Sequence, residues 1–351
     1  AYGAAAVEKG RLTFQGEQTT LSACTATGQG SSGVFVHQDG TVSFESKNVT
    51  VSAQSDDSIG TGINASEGTV STSPETSLTV IAGGKAGGTG IELLRNGHIN
   101  IEGDADIRVT GVNTTGIKNS EGKIETKKNL KIRVSEGDST ASLYGVYSSY
   151  SGAKTQLKGD VDIAVTSSGA ADGVYAYYGG EVILGTAGEQ NTIKIVSVGT
   201  DLSNGIYARD DGGSVVVNGK SNIKAGIGVH TSDGKSSIIF NDDAIIDSNT
   251  GVSAQNGTVT FNGATKIDAP TAIQTSKGNG SGGASVTFAY DPTPINVLAQ
   301  NATPKREDAA SADSQVNGSV TGDGNLVKSG SGSLAFNGNN SGFSGLFDVL
   351  G

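Results

Sequence analysis

The chain has 351 residues, with 54 glycines, 5 prolines, one cysteine, no tryptophan and no methionine; hydrophobic residues make up 34% and the formal charge is −11. Glycine at roughly twice its usual share, with so few bulky side chains, argues against one large globular core, and a lone Cys24 leaves no internal disulfide. The acidic balance disfavours nucleic acid, which calls for clustered Lys and Arg, and equally an anionic membrane surface.

Taken in order, the chain repeats itself. Glycine followed by Val or Ile returns at Gly33-Val34, Gly62-Ile63, Gly90-Ile91, Gly116-Ile117, Gly145-Val146, Gly173-Val174, Gly205-Ile206, Gly228-Val229 and Gly251-Val252, with Ala272-Ile273 continuing the series and Gly3-Ala4 fitting one step earlier. A second glycine follows each of the nine glycine anchors from Gly33 to Gly251, from Gly40 to Gly257, and then a short alternating segment such as Thr41 to Phe44, Glu181 to Leu184 or Thr258 to Phe261. A third alternating segment closes each unit, as at Val49 to Val51, Ile107 to Val109 and Val161 to Val165. Period-two alternation bounded by Gly, Ser, Asn and Asp marks strands, and no segment carries the apolar spacing of a long helix. Three short strands cannot bury their own inner face; stacking on neighbouring units supplies a core and pairs the backbone. The expected fold is all-β: a right-handed single-stranded parallel β-helix (β-solenoid) of about eleven or more coils, a rod on the order of 50 Å long.

Parity assigns the faces. The residue after each anchor, from Val34 to Ile273, is expected to point inward, as are Val36, Ala65, Ala176, Ala208, Thr231 and Ala254 two positions on. The residues between them, Phe35, Asn64, Glu92, Lys118, Tyr147, Tyr175, Tyr207, His230, Ser253 and Gln274, are expected to face outward. The anchor glycine is expected at a corner where a Cβ would be costly. Coils are expected over residues 1–300 and 317–351. Between them 301–316, with Pro304-Lys305-Arg306-Glu307-Asp308, read as an exposed loop excursion; Thr186 to Asn191 and Ser281 to Gly283 read as smaller ones.

The final stretch is the most specific. It runs Gly322-Asp323-Gly324-Asn325-Leu326-Val327-Lys328-Ser329-Gly330-Ser331-Gly332-Ser333-Leu334, then Asn337-Gly338-Asn339-Asn340-Ser341-Gly342-Phe343-Ser344-Gly345. This closely resembles the autotransporter-associated β-strand repeat, and the looser Gly-Val/Ile units resemble bacterial autotransporter passenger domains over nearly all the rest. The resemblance implies a protein of the bacterial cell surface or a secreted one. It also implies export through the outer membrane by a C-terminal outer-membrane β-barrel translocator, which is absent from this chain.

Catalytic sets are not apparent. Gly137-Asp138-Ser139-Thr140 is the nearest string to a serine-protease nucleophile segment and lacks the glycine that would help shape an oxyanion hole. The pairs Asp56-Asp57, Asp210-Asp211 and Asp242-Asp243 put neighbouring carboxyls on opposite faces or in turns, unlike the facing pair glycoside hydrolysis needs. His37, His98 and His230 are too far apart to share an ion. The chain is therefore expected not to be an enzyme and to need no cofactor or metal.

One cluster stands out. Seven of nine tyrosines fall between 144 and 207: Tyr144, Tyr147, Tyr150, Tyr175, Tyr177, Tyr178 and Tyr207. The repeat stacks Tyr147, Tyr175 and Tyr207 as an outward ladder, with Tyr177 outward too, Tyr150 and Tyr178 near the next turn, and Arg209 and His230 flanking. Such a stack stabilises a sheet by roughly 0.2–1 kcal/mol per pair, or serves as a recognition patch, because Tyr combines contact area with a polar tip. Exposed ring faces are also what sugars stack on. The expected function is that of a non-enzymatic binding protein, an adhesin or virulence factor engaging a host cell-surface protein or glycan. Its contact residues would be Tyr147, Tyr175, Tyr177, Tyr207, Arg209 and His230. The alternatives are a shed passenger that signals through a host receptor and, more remotely, a polysaccharide-active enzyme. Self-association of rods is a further possibility that the charge opposes.

Overall fold

A computed structural model describes residues 1–26, 30–136, 142–277, 283–290 and 314–350. The described residues form strands and turns, with strands paired in parallel from one coil to the next. Together they make a parallel β-helix. The second strand of each unit joins a sheet of thirteen, running from Arg11–Phe14 to Phe347–Leu350. First and third strands share a sheet of twenty. They share it because in later coils the chain passes from a third strand into the next first strand without a break, as in Lys220–Ser232 and Ala244–Gln255.

The core is a set of aliphatic columns. Val34, Ile63, Ile91, Ile117, Val146, Val174, Ile206, Val229, Val252 and Ile273 are register partners in succession and have no exposed surface. Val36, Ala65, Ala176, Ala208, Thr231 and Ala254 form a second column, equally buried. On the second-strand sheet Phe240, Phe261 and Phe288 stack with ring centroids 4.9 and 5.3 Å apart. Alternation alone builds these columns, since a parallel strand in register repeats its inward residue directly above the last.

The anchor glycines line the inside of the corner between first and third strands. A Cβ on Gly173 would lie 2.3 Å from Ile195 Cγ2 and 2.6 Å from the Gly205 carbonyl oxygen; Gly145, Gly205, Gly228 and Gly251 meet Ile163, Ile223, Ile246 and Ile267 in the same way. None of these glycines has a positive φ. Space, not backbone freedom, reserves the position. Where the series carries a methyl instead, at Ala272, the register between Thr265–Ser276 and Ser314–Gly322 slips.

Residues 301–313 of the expected excursion lie outside the described residues, as do Ser281 and Gly282 and the string Gly137 to Thr140. The strand Ser314–Gly322 already contains Ser314 to Val316 and pairs with Thr265–Ser276, so the coil is under way before residue 317. In the final stretch, Lys328 Nζ donates to the carbonyls of Ser329 and Gly330 at 2.9 and 2.6 Å, Asn340 Oδ1 accepts from the Val320 amide at 3.1 Å, and Gly345 leaves room for the Phe343 ring.

Candidate binding surface

Three outward rows cross the first-strand face. The middle row runs Phe35, Asn64, Glu92, Lys118, Tyr147, Tyr175, Tyr207, His230, Ser253, Gln274. One flanking row contains Thr89, Thr115, Tyr144, Asp172 and Asn204; the other pairs Ser149 with Tyr177 and Tyr177 with Arg209. Because each coil advances by one strand spacing, side chains in a row meet at stacking distance. Asn64 Nδ2 and Lys118 Nζ both donate to the Glu92 carboxylate, at 2.8 and 2.9 Å. Tyr175 lies with its ring centroid 5.4 Å from Tyr147 and 5.0 Å from Tyr207, and Tyr207 stacks on His230 at 4.3 Å with ring planes 3° apart.

The rows also touch sideways. Tyr144 and Tyr177 stack on Tyr175 at 5.4 and 5.7 Å, so four rings surround it and only 7% of its surface stays exposed. Tyr175 was expected at the surface; it is instead the pillar on which the others lean. Enclosure pushes its phenol well above the usual value, and desolvation raises those of Tyr144 and Tyr147 too. Interior ring faces are thus spent on one another, and the Tyr207 hydroxyl is 2.9 Å from Ser232 Oγ. Tyr147, Tyr177 and Tyr207 keep partial exposure, and Arg209 is exposed with Nε 3.0 Å from Asp210 Oδ2.

Beside the rings, continuing the row of Tyr144, runs a buried polar line. Asn204 Nδ2 donates to Asp172 Oδ1 at 2.7 Å, its backbone amide adds a bond at 3.2 Å, and Asn204 Oδ1 lies 3.2 Å from His230 Nδ1. Burial pushes the Asp172 carboxyl up to about 6, against the pull of the Asn204 bonds. Burial, helped by the Arg209 charge, brings His230 down to about 4. The imidazole is therefore neutral near pH 7, with Nδ1–H donating to Asn204.

At the corner after the first strand, Tyr150 and Tyr178 were placed by sequence near a turn and not counted among the contact residues. They are the most exposed rings of the cluster, at 52% and 44%, with centroids 6.3 Å apart. Both are left-handed, at φ 71° and 49°. Other coils fill that corner with Gln38, Glu67, Arg95, Asp210, Asp233 or Asn256, also at positive φ. The available signal was their spacing, five residues after Gly145 and Gly173, which is the corner position.

Elsewhere the acidic pair Asp210-Asp211 forms such a corner, and His37 Nδ1 lies 3.3 Å from the Ser66 carbonyl oxygen. Among the described residues no three His, Cys, Asp or Glu side chains gather as ligands for one ion. Comparison with protein-family models, curated proteins and solved structures finds no match.

Proposed function

We propose that this chain is a non-enzymatic binding protein of the bacterial surface, an autotransporter passenger whose rod presents the tyrosine face to a host cell-surface partner. The resemblance of residues 322–345 to the autotransporter-associated strand repeat supports the setting. One observation carries the binding reading: Tyr150 and Tyr178 hold bulky aromatic side chains in the left-handed region while remaining exposed. Each such conformation costs roughly 1–2 kcal/mol, and Asp, Asn or Gly would avoid most of it. Other coils bear the same backbone cost with polar or charged side chains, Gln38, Glu67 and Arg95 among them, so two exposed rings at that corner, beside a stack of others, are better explained by a partner than by folding. Tyrosine suits the role, with large contact area and little rotamer entropy to lose.

The test is the double variant Tyr150→Asn/Tyr178→Asn. It should melt at a higher temperature than the parent, because strain is relieved, and bind cultured epithelial cells about tenfold more weakly. Undiminished cell binding by the stabilised variant would overturn the reading. The triple change Tyr147→Ala, Tyr175→Ala and Tyr207→Ala should also reduce binding. It is the coarser probe, since it removes the buried pillar.

A further inference from the structure

We infer that the step at the edge of the tyrosine block is a saccharide subsite that takes an uncharged hexopyranose; this rests on the reading of the face as a binding surface and names its ligand class. In the row of Tyr144 the two preceding coils carry Thr115 and Thr89; in the row of Tyr147 they carry Lys118 and Glu92. The drop from ring to threonine opens a groove of about 360 Å³ whose lining includes Tyr144, Tyr147, Thr89, Thr115, Glu92 and Lys118. That volume lies in the range of small-molecule sites.

The two rings here are unlike those inside the block. Tyr175 covers them from one side, whereas on the groove side their register partners are Thr115 and Lys118. Tyr144 stacks on Tyr175 and meets Tyr147 edge-on at 5.2 Å, so it is the single ring of Tyr144 that offers a face to the C–H side of a pyranose, whose polarised C–H groups meet the negative face of the ring. Hydroxyls at the sugar's edge then need fixed donors and acceptors. The Glu92 carboxylate is held in place from two sides, by Asn64 and Lys118, and Thr89 and Thr115 add hydroxyls. One carboxylate and one ammonium cancel, so the groove favours neither an anionic nor a cationic sugar.

A larger groove along the third strands lacks this chemistry. It has no aromatic wall against which a sugar ring could lie.

The experiment titrates the full chain, by saturation-transfer NMR, with methyl glycosides of glucose, galactose, mannose and N-acetylglucosamine, and with N-acetylneuraminic acid and glucosamine as charged counterparts. At least one neutral glycoside should saturate with a millimolar dissociation constant. Thr115→Phe, which fills the groove from its floor, should weaken that binding by about tenfold or more. Glu92→Gln, which leaves shape and packing in place, should weaken it without lowering the melting temperature below that of other surface variants. No saturating neutral glycoside, binding that survives both variants, or preference for a charged sugar would overturn the subsite. Cell binding by a chain that binds no sugar would overturn the subsite alone. Sugar binding by a chain that binds no cells would uphold the subsite and overturn the broader reading.

Discussion

Asp172 and His230 lie two coils apart, joined through Asn204, and their titrations pull stability in opposite directions. A carboxyl raised from its ordinary value near 4 to about 6 holds its proton in the folded chain when the unfolded chain has lost it. Its stabilising contribution is therefore complete below about pH 4 and is lost as pH rises through 6. A histidine lowered from about 6.5 to about 4 does the reverse: its contribution is complete above 6.5 and is lost as pH falls through 4. Between those limits the two nearly cancel. Asp172→Asn should uncover a stability that climbs with pH from 4 to 6.5, and His230→Gln one that declines over the same window, in denaturant melts at a series of pH values. Flat profiles in both variants would mean that neither group is buried as described. Sequence located His230 on the first strand, but neither Asp172 nor the coupling between them. Asp172 lies in the row of Thr89 and Thr115, equally buried, and parity does not separate a buried outward row from an exposed one.

At the scale of strands and corners, the repeat was readable in detail. Anchors, inward columns and the outward row all follow from a period of two and from Gly followed by Val or Ile. The third-strand partner was not readable: the reason for Gly173 is Ile195, twenty-two residues away in sequence, and only the closed corner brings them together. Gly173→Ala should cost about 1–3 kcal/mol through overpacking. Combined with Ile195→Ala, it should cost less than the sum of the separate changes, because the second variant vacates the space the first one needs. A double-mutant cycle by chemical denaturation reads this coupling directly, and strict additivity would mean that the corner relaxes in another way. The fate of Tyr175 has a similar origin. Its outward direction followed from parity, but its enclosure depends on Tyr144 and Tyr177 in neighbouring rows, which a one-dimensional pattern does not bring together.

Across the whole rod, each coil pairs its strands with the coils beside it, so damage should stay local. Val174→Asp puts a carboxylate into a column with no exposed surface and should cost several kcal/mol. Amide hydrogen exchange should then accelerate through the strands from Leu143 to Arg209 while the second-strand amides near Thr41 to Phe44 keep their protection. The same substitution at Val349, which is 66% exposed, should alter exchange little. Uniform loss of protection in the Val174 variant would indicate a single cooperative body.

The segment Thr186 to Asn191 lengthens one corner without disturbing the columns on either side: Leu184 stays opposite Val217, and Ile195 opposite Ile223. A corner therefore sets how far the polypeptide reaches into solvent, while the interior alone sets pitch. Loops spliced in at successive corners would be displayed about 4.8 Å apart along one line, like pegs on a ruler. Changing the length of any one peg would leave the graduations where they are.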